Sequence, residues 1–290
     1  MVRPTKALPT KKDLTVQIIS EIKANLAIFN TQNDLNLAID TIRATFYKNA
    51  PNKTHGNKLE HLKKCVKKHN MKFVKVSKSS PNYQKLKQRL SNEDLSNAYE
   101  LNNKGLLNTL THERIYYINH TKEDKDKATL IIYGLKQYLY EAPSQKLVNE
   151  LMQIVNNITS LDICHDQTKR YNLEEIKKHF TLKAPPVYQG NTAYINNPNL
   201  ANISKICIYN KSFKNNLDFK CYRAEATINI QNLNAKNQLL SRLERLNLTL
   251  YQSLQEYGLF LNLATKEDKR AEPLSNLTYY KQQAKLKDKI

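Results

Sequence analysis

Apolar positions along the chain fall into two rhythms. In the first hundred residues Leu14, Ile18, Ile19, Ile22, Leu26 and Phe29 recur three or four apart, the spacing of one helix face. Leu35, Leu37, Ile39, Ile42 and Phe46 follow the same spacing less regularly, before Asn49-Ala-Pro-Asn and His55-Gly56 break it. The pattern predicts a third helix over 58–69, a strand over 71–76 and a further helix over 82–101. The second rhythm begins after a charged loop at 122–128 and alternates strands with helices. Strands are predicted over 129–139, 158–165, 193–195, 205–209 and 221–230, the last two forming a hairpin across a Lys/Asn-rich turn. One helix starts at Pro143-Ser144. A second starts at Asn172, whose side chain can cap it with Glu175 three residues on. A long amphipathic helix then carries Leu239, Leu240, Leu243, Leu246, Leu250 and Leu254.

The organisation read from these rhythms is α+β. A mainly helical, basic region spans 1–121, an α+β domain spans 129–262, and a basic tail spans 263–290. In the α+β domain one sheet face is expected to be covered by helices and the other left free for chemistry.

Charge narrows the partners. The chain of 290 residues holds 46 Lys and Arg against 26 Asp and Glu, a formal net charge of +20. That excess favours a polyanion, because each neutralised phosphate releases counterions. The basic residues concentrate: twelve lie between Pro51 and Leu90, where Glu60 is the sole acid. Lys63, Lys64, Lys67 and Lys68 are spaced to share one helix face, which reads as a phosphate-contacting surface, and Lys214 in the later turn joins that set. No stretch is apolar enough to span a bilayer, and the basic start lacks the apolar core of a secretory signal. Cys65, Cys164, Cys207 and Cys221 show neither a CxxC pair nor zinc spacing with the histidines, so reduced thiols in a cytoplasm are expected. None of the five glycines forms a phosphate-binding loop or a dinucleotide fingerprint, which argues against an ATPase and a nucleotide-cofactor enzyme.

The candidate chemistry comes from strand parity. Successive strand residues point to opposite faces, so each strand sorts into two rows. Asp162, Cys164 and Asp166 form one row; Cys207, Tyr209 and Lys211 another; Cys221, Arg223, Glu225 and Thr227 a third. The opposite rows are largely apolar: Leu161 and Ile163, Ile206 and Ile208, then Ala224, Ala226, Ile228 and Ile230. If the strands are neighbours, Asp162, Asp166 and Glu225 can hold Mg²⁺ or Mn²⁺ through oxygen ligands. Tyr209 can then attack a phosphate to give a phosphotyrosine, with Lys211 and Arg223 steadying charge or lowering the tyrosine pKa.

Three short segments also carry a resemblance: Ser160-Leu-Asp-Ile-Cys-His-Asp, Ile206-Cys-Ile-Tyr-Asn-Lys-Ser-Phe-Lys and Tyr222-Arg-Ala-Glu-Ala-Thr-Ile. Together they resemble the replication initiation factor family of rolling-circle plasmids, and more loosely filamentous-phage gene-II-type proteins and relaxases. The match covers about a third of the chain. Ser160 stands where an arginine is common, Ala224 replaces a larger apolar residue, and no His-hydrophobic-His motif occurs. The resemblance implies an antiparallel sheet of the His-hydrophobic-His nuclease type and origin nicking that depends on a divalent metal. It makes Tyr209 the nucleophile and Asp162, Asp166 and Glu225 the ligands, with Tyr194 or Tyr222 as alternative nucleophiles. Tyr116-Tyr117 and Tyr279-Tyr280 are weaker candidates. Such an initiator would act on single- and double-stranded DNA, recruit a host helicase, and be compatible with a homodimer. A non-catalytic DNA-binding protein, either an iteron-type initiator or a transcriptional regulator, and an RNA-binding sheet with stacking tyrosines are the competing readings.

Overall fold

A computed structural model describes residues 11–48, 57–79, 83, 97–103, 113–120, 126–138, 142–155, 157–230 and 239–265. The architecture is α+β, with a large antiparallel sheet and several helices. Among the described residues no helix is long and apolar enough to cross a membrane. The chain divides into two compact units. Unit 1 takes 1–21, 44–130 and 144–157, and unit 2 takes 22–43, 131–143 and 158–290.

In unit 1, helix α2 (Lys58–Lys67) and helix α3 (Gln145–Val155) pack against each other, and Leu62 and Val66 of the first and Leu147, Leu151 and Val155 of the second are buried. Asn57 starts α2 by accepting from the backbone N–H of Leu59 at 2.9 Å. Strands β2 (Met71–Lys75), β3 (Ala98–Asn103) and β4 (Glu113–Asn119) pair antiparallel in that order, with β5 (Lys127–Ile132) beside β4.

Unit 2 is built on the antiparallel order β1-β6-β10-β9-β8-β7. These are β1 (Leu37–Tyr47, of which residues up to Arg43 belong to this unit), β6 (Ser160–Gln167), β7 (Val187–Gln189), β8 (Thr192–Leu200), β9 (Ile203–Asn210) and β10 (Tyr222–Asn229). Alternation puts Leu161, Ile163, Ile206, Ile208, Ala224, Ala226 and Ile228 on one face, all buried. Helix α6 (Leu239–Ala264) contacts β10 and β8 and buries Leu250, Leu254, Tyr257, Phe260 and Leu261. Against α6 lie α4 (Leu173–His179) and the later half of α1 (Lys11–Asn33). A Cβ placed on Gly258 of α6 would sit 2.9 Å from the Phe29 ring, so this glycine permits the close approach despite its helical cost of ~1 kcal/mol.

Several expectations change. Region 1–121, expected to be mainly helical, contributes two helices and four strands among the described residues. The run from Leu37 to Phe46 is strand β1, not helix: Ile42, Ala44 and Phe46 are buried while Arg43, Thr45 and Tyr47 are less so, a period of two. Residues 98–101 belong to β3; most of the helix expected over 82–101 lies outside the described residues. The expected strand at 193–195 extends to Thr192–Leu200. The Asn172 cap is present, its side chain accepting from Glu174 and Glu175 at 3.1 Å. The expected hairpin is present too, with a short helix, α5 (Lys211–Asn215), in its turn.

Candidate functional site

The register of unit 2 brings the polar rows side by side. Asp166, Arg223 and Tyr209 form one rung across β6, β10 and β9; Cys164, Glu225 and Cys207 form the next; Asp162, Thr227 and Lys205 the one after. Tyr194 of β8 stands opposite Cys207, extending the middle rung. Parity thus located the shared face. It did not show that the Asp166–Arg223 end of that face is closed, while Glu225 and Tyr194 stay half-buried.

Arg223 is 0% exposed and Asp166 2%. The guanidinium grips Asp166 with two parallel bonds, Nε to Oδ1 at 2.6 Å and Nη2 to Oδ2 at 2.7 Å. It also donates to Asp40 at 2.8 Å and to the carbonyl of Lys136 at 3.0 Å. Asp40 reaches in because β1 bulges between Ile39 and Thr41. The segment 131–138 covers the row: Tyr138 donates to Asp166 at 2.9 Å, and Leu135 N–H donates to the Asp40 carbonyl at 2.9 Å. Burial alone would raise the Asp166 pKa, but the Arg223 charge and its hydrogen bonds hold it down to about 2.

A second pair repeats this device four residues along the strand, two rungs away. Arg43 donates to both oxygens of Asp162 at 2.7 and 2.8 Å, and Thr227 adds a bond at 2.7 Å. Burial opposes ionisation of Asp162, and the Arg43 charge with its bonds overcomes it, leaving the pKa below its ordinary value. The two aspartates are therefore neutralised by arginines rather than left open for a cation. The third expected ligand, Glu225, accepts from the Tyr209 hydroxyl at 3.2 Å. Burial and then the charges of Asp40 and Asp162 push Glu225 up to about 7. In this arrangement Asp162, Asp166 and Glu225 do not fit a Mg²⁺ or Mn²⁺ site.

Tyr209 is 7% exposed, and Lys214 lies over its ring at 4.2 Å from the centroid. Arg223 does lower the Tyr209 pKa, but it does not set the net direction. Burial, then the neighbouring Glu225 charge, raises the phenol pKa well above its ordinary value, and Arg223 offsets only part of that. Lys211 is the buried first residue of α5, its pKa lowered by burial and then by Arg223. The Asn of Tyr-Asn-Lys has a local role: Asn210 caps α5 by accepting from Phe213 N–H at 2.9 Å. Of the alternative nucleophiles, Tyr194 is half-buried on the same face, while Tyr222 is half-buried and bonded to Arg170 at 3.4 Å. Tyr116 and Tyr117 are buried in β4, and Tyr279 and Tyr280 lie outside the described residues.

In unit 1, Lys63, Lys64, Lys67 and Lys68 are all exposed, opposite the buried Leu62, Cys65 and Val66. Lys63 pairs with Glu60 at 2.9 Å. On α2 and α3 a cluster absent from the sequence reading appears: Cys65 Sγ donates to Glu150 Oε2 at 3.4 Å, and His69 Nε2 lies 3.2 Å from the same oxygen. The ligand atoms of the three residues lie within 4.8 Å of one another and could hold a metal ion. The four-residue spacing of Cys65 and His69 was the available signal, but Glu150 is 81 positions from His69.

No family model, curated protein or solved structure matches the chain.

Proposed function

We propose that this protein is a DNA-nicking replication initiator of the rolling-circle type, using Tyr209 as nucleophile and Glu225 as its proton acceptor. The observation that carries the reading is the Tyr209–Glu225 hydrogen bond at 3.2 Å on a polar sheet face. A carboxyl group whose pKa is about 7 can take a phenolic proton near neutral pH. As the Tyr209 oxygen bonds phosphorus, the phosphodiester bond breaks and the released strand end takes a proton. Lys214, exposed beside the ring, would draw the phosphate in, and the basic face of α2 would hold duplex DNA. In this proposal the fold is a variant of the His-hydrophobic-His nuclease sheet with an arginine-locked interior. The protein would work in the cytoplasm with a host helicase, and no step is routed through Mg²⁺ or Mn²⁺.

A second reading, a DNA-binding protein that does not cut, is favoured by the burial of Tyr209 and the saturation of both aspartates. One experiment separates the two. Supercoiled DNA carrying the element's own origin is incubated with wild type, Tyr209→Phe and Glu225→Gln, with and without Mg²⁺ or Mn²⁺. The nicking reading expects open circles with covalently attached protein, none with Tyr209→Phe, and a rate lowered by roughly 10²–10⁴-fold with Glu225→Gln. Tight origin binding with intact DNA under every condition would establish the second reading.

A further inference from the structure

We propose that Cys65, His69 and Glu150 form a binding site for a zinc-class divalent ion that fastens α2 to α3. Cys65 lies in α2 and His69 in the turn just past its C-cap, Lys68, where the His69 N–H donates to the Val66 carbonyl at 3.0 Å, and both side chains reach the same Glu150 oxygen. Glu150 comes from α3, which packs against α2 independently of these side chains.

The spacing suits tetrahedral coordination. Bond lengths of ~2.3 Å to sulfur, ~2.0 Å to nitrogen and ~2.1 Å to oxygen give tetrahedral edges of roughly 3.6 Å for S···O and 3.4 Å for N···O. The corresponding distances here are 3.4 Å for Cys65 Sγ to Glu150 Oε2 and 3.2 Å for His69 Nε2 to that oxygen. The third edge, Cys65 Sγ to His69 Nε2, lies within 4.8 Å, where a tetrahedral S···N edge is roughly 3.5 Å, so an entering ion would also draw the thiol and the imidazole toward each other.

Chemistry selects the ion. A thiolate, an imidazole and a carboxylate together favour a borderline ion such as Zn²⁺ or Co²⁺ over the hard Mg²⁺ and Mn²⁺. Three protein donors leave a fourth position for water. An approach exists, because the side chains of His69 and Glu150 are 19% and 31% exposed, while Cys65 is buried beneath them. On binding, the Cys65 thiol proton passes to solvent, and the hydrogen bonds now converging on Glu150 give way to metal bonds. The ion would fix the helix that displays Lys63, Lys64, Lys67 and Lys68, with no change in oxidation state.

The test uses the full chain, stripped with a chelator and titrated with Co²⁺ alone and then Zn²⁺. One equivalent of Co²⁺ should give a thiolate-to-metal charge-transfer band and the intense d–d bands of tetrahedral cobalt, both bleached by Zn²⁺. Cys65→Ser should lose the charge-transfer band while keeping the wild-type circular dichroism, and Cys164→Ser should keep the band. Glu150→Gln should weaken binding by at least the roughly 10–100-fold that losing an outer-shell partner costs. A charge-transfer band that survives in Cys65→Ser, or no band in folded wild type, overturns the site and leaves a hydrogen-bonded triad only. Neither result bears on the nicking chemistry, whose reacting groups Tyr209 and Glu225 lie in unit 2.

Discussion

Each unit of this chain sets carboxylates among polar partners, several in unit 2 and Glu150 alone in the unit 1 cluster, and they are satisfied in opposite ways. In unit 2, Asp166 and Asp162 meet permanent cations, Arg223 and Arg43, through paired bonds of 2.6–2.8 Å. In unit 1, Glu150 meets a thiol and an imidazole, donors that can give up a proton. A guanidinium cannot be deprotonated or displaced cheaply from a dry site, so the first arrangement is architecture. A thiol and an imidazole exchange a proton for a metal, so the second remains open to a ligand. The number of acidic groups says little about metal binding. What faces them decides it.

The sharpest way to break this comparison is to remove the cation. Arg223→Met leaves Asp166 and Asp40 facing each other without their shared partner, in a site where Arg223 itself is 0% exposed. An unfolding free energy lower by roughly 3–5 kcal/mol is expected from denaturant titration. The double variant Arg223→Met/Asp166→Leu should recover part of that loss, because an apolar pair replaces a broken ionic one. A loss below ~1 kcal/mol in the single variant would mean that water reaches the pair and that the face is open.

Why the sequence revealed the face but not its locks can be argued from the same residues. Parity within β6, β9 and β10 places Asp162, Asp166, Tyr209, Arg223 and Glu225 on one side, since period two is a property of the strand alone. Arg43 and Asp40 are contributed by β1, 119 residues before Asp162 and 183 before Arg223. Their strand was read as helix because Leu35, Leu37, Ile39, Ile42 and Phe46 fit a loose helical spacing, although Ile42, Ala44 and Phe46 alternate with Arg43, Thr45 and Tyr47. The bulge at Asp40 shifts the register and has no local signature in the sequence. Nor could spacing show that the segment 131–138, expected as a plain strand, leaves the sheet after Ile132 and covers the polar row. The basic face of α2 was legible because one helix contains all of it.

A middling effect comes from pH. Asp166 has a folded pKa of about 2 against an ordinary 3.8. Its stabilisation is therefore present above about pH 4 and is lost as pH falls toward 2, by roughly 2–3 kcal/mol. At milder pH two groups oppose each other. Glu225, raised from 4.5 to about 7, binds its proton more tightly when folded, so stability from it declines as pH rises through that window. His165 is pushed down by burial from 6.5 to about 4, and among the described residues its Nε2 has no hydrogen-bond partner, so its contribution declines as pH falls. Between pH 4.5 and 6.5 the wild type should be nearly flat. Glu225→Gln should instead lose stability steadily as pH drops through that range, which urea unfolding at pH 5 and pH 6.5 would reveal. An unchanged profile would place the Glu225 carboxyl in water rather than beside Asp40 and Asp162.

The smallest effect sharpens the contrast from the other side. In metal-free protein, Glu150→Gln removes a carboxylate whose side chain is 31% exposed and whose partners are neutral donors or a histidine. The amide oxygen of Gln can still accept from Cys65, and no buried charge is orphaned, so the expected loss is about 0–1 kcal/mol by thermal or denaturant unfolding. Set beside Arg223→Met, the variants differ by several kcal/mol although both disturb a carboxylate partnership between distant parts of the chain. A loss of ~3 kcal/mol or more in Glu150→Gln would put Glu150 in the same class as Asp166, a group held for structure. Its displacement by a metal would then be too costly for the exchangeable role assigned to unit 1. A loss within the expected range leaves the hydrogen-bonded cluster weak enough for an incoming ion to rearrange.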